Sequence, residues 1–302
     1  MSGPDLSPEA LAFLALWVSD NTPTDFSRIK ETREEITAAQ TPAAERAIKR
    51  HRLTREQQTI AGVRCERIVA SDTGNFAGTL LYMFGGGFIS GSPYDDLPII
   101  GALAEYCSLE VIAPWYRLAP EHPAPAAAED CMAVWEHLSA EYPQPLFLAG
   151  ESAGGNLALL VAQQSAALGL RPANALALLS PAVDLRTDTR LFEPTTYADP
   201  TLHSGRMAEI TAVYAPDRDL TDPSLSPLFG ALTGIPPTII TTGTRDLLLG
   251  MCLRLYRQMR RSNAVVECRV WDGLWHVFEY YDQYPEADES LREIAEFVNH
   301  RK

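Results

Sequence analysis

Hydrophobic and polar positions alternate in two different ways along this chain. In the first stretch, Ser7-Pro8-Glu9 reads as an N-cap, a first-turn proline and an acidic first turn. The pattern predicts a helix from there through Val18. Thr41-Pro42 reads as the start of another helix, with basic residues in its last turn from Lys49 to Arg52. From Val63 the character changes to short apolar runs separated by helical stretches. Strands are predicted at Val63–Ala70, Gly78–Met83, Leu109–Ala113, Leu146–Ala149, Ala175–Leu179, Thr238–Thr241 and Val265–Trp271. Helices are predicted near Ala124–Leu138, Ala153–Leu168, Leu247–Arg261 and Glu286–His300. Strands alternating with long helices imply an α/β fold, a mostly parallel central sheet flanked by helices on both faces. The first two of these strands are joined too tightly for a helical crossover, which predicts an antiparallel hairpin.

Residues 184–216 break the rhythm. They are polar, contain Pro194 and Pro200, and end in a predicted helix from Ser204 to Tyr214. This stretch reads as an insertion over the C-terminal edge of the sheet, forming a helical cap together with the N-terminal helices. The expected organisation is a cap segment over residues 1–55 and a catalytic domain over 56–302, with the cap insertion at about 184–216.

Composition narrows the function classes. Apolar residues make up 46% of the chain and charged residues 21%, which suits a globular protein with a large core. The net charge of −14 disfavours nucleic acid and anionic lipid as partners. Leu11 to Val18 is apolar but too short to span a bilayer, and no basic segment precedes it as a secretory leader requires. Cys65, Cys107, Cys131, Cys252 and Cys268 are odd in number and lack any C-x-x-C spacing, so neither a disulfide framework nor a zinc site is expected. Reduced thiols of a cytoplasmic protein fit best.

Gly150-Glu151-Ser152-Ala153-Gly154 matches G-x-S-x-G between a predicted strand and a predicted helix. That setting places a serine hydroxyl on a strained strand-to-helix turn at the edge of an α/β-hydrolase sheet. The helix N-terminus offers unpaired N–H groups to a developing anion. Gly85-Gly86-Gly87, after an earlier strand, can turn backbone N–H groups into a cavity. Together with the Ala153 N–H they form a candidate oxyanion hole, in which each donor is worth ~3–4 kcal/mol.

A serine nucleophile needs a base. Of the six histidines, His276 lies in a loop just past the last predicted strand, where it can reach Ser152. His51, His137 and His300 read as surface residues, and His203 falls in the proposed cap. The orienting carboxylate must lie between serine and histidine in this chain order. Asp246, just past a strand, fits; Asp272 is the rival but stands only four residues before His276. Helix capping is a second role open to Asp246.

These motifs resemble the hormone-sensitive-lipase-like carboxylesterases, bacterial esterase family IV of the α/β-hydrolase superfamily. The likeness runs from about Tyr82 to Phe278. It is carried by Gly85-Gly86-Gly87-Phe88 with Gly91-Ser92, Tyr116 to Ala127 with Asp130, Gly150 to Asn156, Asp219 to Pro227, and then Asp246 and His276. The resemblance implies hydrolysis of short-chain acyl esters through a Ser-His-Asp triad and a covalent acyl-enzyme. It also implies no cofactor, no metal, and often a homodimer. Gly86, Gly87 and Ala153 match the family's oxyanion donors better than Gly85. Phe88, Glu151 and His203 are the candidate substrate contacts. Two positions depart from the family: Phe84 stands where a bracing histidine is usual, and Trp115 where aspartate is common before the Tyr-Arg pair. Two other readings use the same fold: a non-hydrolytic small-molecule receptor, and an amidase or formamidase with the same triad.

Overall fold

The computed structural model describes residues 6–17, 22–70, 76–188 and 198–302. Eight strands form one sheet: β1 Leu53–Ile60, β2 Val63–Ala70, β3 Thr79–Met83, β4 Glu110–Pro114, β5 Leu146–Glu151, β6 Ala175–Leu179, β7 Thr238–Gly243 and β8 Val266–Trp271. Their order across the sheet is β1-β2-β4-β3-β5-β6-β7-β8. From β4 to β8 every pairing is parallel. The central strands β3 to β7 are buried at every residue, as near-continuous apolar runs covered on both faces must be. Among the described residues eight helices surround them: α1 Pro8–Leu16, α2 Ile29–His51, α3 Leu97–Tyr106, α4 Ala126–Glu141, α5 Ser152–Leu168, α6 Ser204–Tyr214, α7 Leu249–Arg261 and α8 Pro285–Asn299.

Four expectations need correction. The antiparallel hairpin is β1–β2, closed at Ala61-Gly62 where both residues have positive φ, and not β2–β3. β3 lies inside the sheet, parallel to β4 and β5, because all five of its residues need burial on both faces. β1 itself went unread because Thr54 to Thr59 is polar at every position, as an edge strand can be. Thr41-Pro42 does not start a helix, since α2 runs straight through it. Its buried face, Ala43, Ala44 and Ala47, carries the helix past the one N–H bond that Pro42 forfeits. His51 at its end is buried rather than on the surface, its Nδ1 2.5 Å from Glu105 and its ring edge-on to Tyr106. α3 was also unread. The predicted helix to Val18 ends at Leu16; Val18 and Pro194 lie outside the described residues.

The terminal helices tie the edges of the sheet's C-terminal rim together. Ser7 caps α1 and also donates from its backbone N–H and hydroxyl to Glu286 of α8. Phe13 of α1 stacks on Trp275 at 4.5 Å, bracing the loop that carries His276. Arg33 of α2 donates to Ile89 O at 2.7 Å and Ala119 O at 2.8 Å, and pairs with Glu121. α2 is thereby anchored beside the glycine loop after β3.

Candidate active site

The C-terminal ends of four parallel strands supply the site: β3 leads to the glycine loop, β5 to Ser152, β7 to Asp246 and β8 to His276. Ser152 has φ 51°, the left-handed conformation that thrusts its side chain out of the turn. The turn closes only because its flanks lack side chains. A Cβ on Gly154 would sit 2.0 Å from Met83 O. Ser152 Oγ lies 2.9 Å from His276 Nε2, and His276 Nδ1 lies 3.1 Å from Asp246 Oδ1. Three residues far apart in sequence thus form one hydrogen-bonded chain. Asp272 is exposed and accepts from Thr244 instead.

Asp246 is fully buried. Burial alone would raise its titration, but the His276 charge, the His276 hydrogen bond and the Thr242 hydroxyl at 2.7 Å hold its carboxyl below the usual range. It also accepts at 2.8 Å from the N–H of Leu248, the residue before α7, but α7 itself has no side-chain cap. For His276, burial disfavours the imidazolium. The charge and hydrogen bond of Asp246, then Asp199 and Glu279, outweigh it and raise the pKa above its ordinary value. The imidazole is therefore made a stronger base than a free histidine.

Asp199 was not found in the sequence. It precedes α6 and is buried; burial and Asp246 raise its titration above the ordinary value, against the lowering by His276 and the N–H groups of Leu247 and Thr201. The Asp199-Pro200 pair at a turn was the available signal.

The glycine loop is held from below. Phe84 stacks on Tyr116 with ring centres 4.1 Å apart, and Tyr116 OH donates to Phe84 O at 2.7 Å. Phe88, at φ 61°, stacks on Tyr214 at 3.8 Å. Gly86 has φ 92°, and a Cβ there would meet Ser90 O at 2.4 Å. Gly85 differs from its neighbours: a Cβ there would sit 1.9 Å from Glu151 Oε1, and its N–H faces the buried carboxyls of Glu151 and Asp96. The amides of Gly86 and Gly87 have no acceptor among the described residues, and the Ala153 N–H, in the first turn of α5, has no intrahelical acceptor. Trp115 sits under the guanidinium of Arg64, 4.2 Å from its ring centre.

A cavity of about 530 Å³ opens onto Ser152 and His276. Ile29 and Ile36 of α2, Met207 and Ile210 of α6, and Phe88, Leu185 and Val277 give it apolar walls. Glu151 borders it, with its carboxyl packed against Gly85. His203 borders not this cavity but a smaller one of about 150 Å³ beside it, with Trp17 and Asp199, and its Nδ1 accepts from Arg206 N–H as the cap of α6.

With this geometry the arrangement can activate a hydroxyl, take up its proton and receive a new oxyanion. Among known proteins, residues 80–280 match the alpha/beta hydrolase fold family. An esterase of Acinetobacter venetianus is 30% identical over 243 residues, covering 79% of this chain and 80% of its own. A putative acetyl-hydrolase, LipR, of Mycobacterium tuberculosis is 29% identical over 243 residues, covering 80% and 78%. The crystal structure of EstE5 soaked with p-nitrophenyl butyrate superposes with a TM-score of 0.88 at 27% identity, covering 99% of each chain. An esterase from the bacterial hormone-sensitive lipase family superposes at 0.86 with 25% identity, covering 100% of this chain and 99% of its own.

Proposed function

From a chain that belongs to the hormone-sensitive-lipase-like carboxylesterases of the α/β-hydrolase fold, and is therefore a carboxylic-ester hydrolase, we propose a mechanism that runs through Ser152, His276 and Asp246 on short-chain acyl esters. Ser152 Oγ attacks the acyl carbonyl while His276 Nε2 takes its proton. Asp246 holds the other ring nitrogen and stabilises the imidazolium. The carbonyl oxygen, now negative, receives hydrogen bonds from the amides of Gly86, Gly87 and Ala153. The alcohol leaves with the proton from Nε2, and water repeats the sequence on the acyl-enzyme. The observation that carries this reading is the 2.9 Å contact between His276 Nε2 and Ser152 Oγ.

The cavity must hold both the acyl and the alcohol portions of the ester within about 530 Å³. That favours acetyl to hexanoyl chains under a cap to which α2 and α6 contribute. No helix among the described residues is long and apolar enough to cross a membrane, and the five free thiols fit a reducing cytoplasm. The test is an acyl-length series of p-nitrophenyl esters on wild type and Ser152→Ala, with an anilide beside it. Expected are a maximum at short chains, labelling of Ser152 by a covalent serine probe, and a fall in kcat of about 10⁴-fold or more in the variant. A fully active Ser152→Ala enzyme would overturn the mechanism.

A further inference from the structure

Of the carboxyls that face the base of the proposed mechanism, two cluster with it. One oxygen of Asp199, one of Asp246 and a ring nitrogen of His276 all lie within 4.8 Å of one another. Asp199 is only 6% exposed. Its Oδ2 accepts from Leu247 N–H, the residue after Asp246, at 2.8 Å. Its Oδ1 accepts from Thr201 N–H and Oγ1 and from Leu202 N–H at 2.9–3.2 Å. All four partners are donors, the environment that suits an ionised carboxylate. A plain turn cap would need only the Thr201 and Leu202 contacts. The bond to Leu247 and the second negative charge beside the imidazole are left over.

We propose that Asp199 is a positioning residue for the reaction, a second carboxylate that sets the basicity of His276 and fixes the Asp246 loop through Leu247. It comes from the excursion after β6, so it couples that excursion to the base. Resting on the triad reading above, the inference adds a regulator of that same site. The charged and titratable groups facing His276 are Asp246 from the loop after β7, Asp199 from the excursion and Glu279 from its own loop. Glu279 is buried and held by Thr241 and Ser290, so it stays constant when Asp199 is changed.

The sign follows directly. A neighbouring carboxylate favours the imidazolium, so removing its charge lowers the His276 pKa. Asp199→Asn keeps an acceptor for Thr201 and Leu202 and loses the charge; Asp199→Ala loses both. Both variants are expected to move the acid limb of kcat/KM about one pH unit lower, with KM for p-nitrophenyl acetate changed less than about twofold. On the alkaline plateau the weaker base should cut kcat by about 3–10-fold. An NMR titration of the His276 imidazole in Ser152→Ala, with and without Asp199→Asn, reads the same shift without turnover. It therefore reports on Asp199 even if the serine mechanism were wrong. A wild-type midpoint in Asp199→Asn, or in Asp199→Ala should the first fail to fold, overturns the proposal and leaves a turn cap.

Discussion

Two buried carboxyls flank Ser152, and their surroundings push them in opposite directions. Asp246 is held below the usual carboxyl range, whereas Glu151 is pushed well above it. Burial acts on both in the same direction. What differs is the company. Asp246 faces the His276 ring, the Thr242 hydroxyl and the Leu248 N–H, all able to donate. Glu151 faces Asp96, a second buried carboxyl already taken by the Tyr82 hydroxyl at 2.9 Å, and shares with it one backbone donor, Gly85 N–H. Two acceptors with too few donors between them both titrate high, Glu151 well above its ordinary range and Asp96 up to about 7. One carboxyl bonds the His276 ring, and the other packs against Gly85 of the glycine loop. The same chemical group does both because the strand ends supply donors on one side and withhold them on the other.

The largest effect should come from removing the charge on the ionised side. Asp246→Asn keeps the shape but leaves His276 without an anionic acceptor at Nδ1. A loss in kcat of about 10⁴-fold is expected in p-nitrophenyl acetate hydrolysis. Stability should follow the sign of the shift. A carboxyl held low stabilises the fold above its unfolded pKa of about 4 and loses that contribution as pH falls through its folded value. The Tm gap between wild type and Asp246→Asn should therefore narrow from pH 6 to pH 3.5. Retention of a tenth of the activity would erase the distinction between the two carboxyls.

Much of this contrast was legible in the sequence on the Asp246 side and little on the other. Ser152, Asp246 and His276 follow a chain order and strand-end placement set by the sheet, so local patterns locate them. The central strands were readable because burial on both faces demands continuous apolar runs. The edge strand β1 was not, since its polar residues carry no alternation. Asp199, Asp96 and the inward turn of Gly85 N–H were unreadable for another reason. Each matters through a partner 14 to 77 residues away, Tyr82 or Glu151 for the acid pair and Leu247 or His276 for Asp199, and no local spacing encodes those contacts. Phe84 was visible as a departure, but its stack on Tyr116 needed the fold.

A smaller effect tests the protonated side. Glu151→Gln places an amide that can still donate to Asp96 and accept from Gly85 N–H, so kcat at pH 7 should stay within about threefold of wild type. Stability should move oppositely to Asp246→Asn. A carboxyl whose folded pKa is raised stabilises most below its unfolded value of about 4.3, and the wild type loses stability as pH climbs from there toward the folded value. The glutamine has no proton to lose. Its Tm relative to wild type should therefore rise from pH 5 to pH 8, by up to about 1.4 kcal/mol of stability for each unit crossed. Thermal melts across that range, on both variants, should give slopes of opposite sign. Parallel slopes would mean that Glu151 is ionised at neutral pH.

The smallest effect concerns the apolar brace beneath the same loop. Phe84 is almost fully buried and lies nearly parallel to Tyr116, with ring planes 10° apart. Phe84→His restores the residue type usual in the family while keeping a flat ring of similar reach. The stack should survive, but its ring nitrogens would enter a site built for phenyl, next to Gly91 and under the backbone of the glycine loop. A buried polar atom without a partner costs about 1–3 kcal/mol, so Tm should drop by a few degrees. Activity should remain within about threefold, since the loop's position also depends on Tyr116 OH, on the Phe88–Tyr214 stack and on Arg33. Calorimetry paired with kcat/KM on p-nitrophenyl acetate separates the two outcomes. A tenfold change in kcat at unchanged Tm would show that residue 84 acts on the oxyanion amides directly, and the loop's apolar underside would then be part of the catalytic machinery rather than its support.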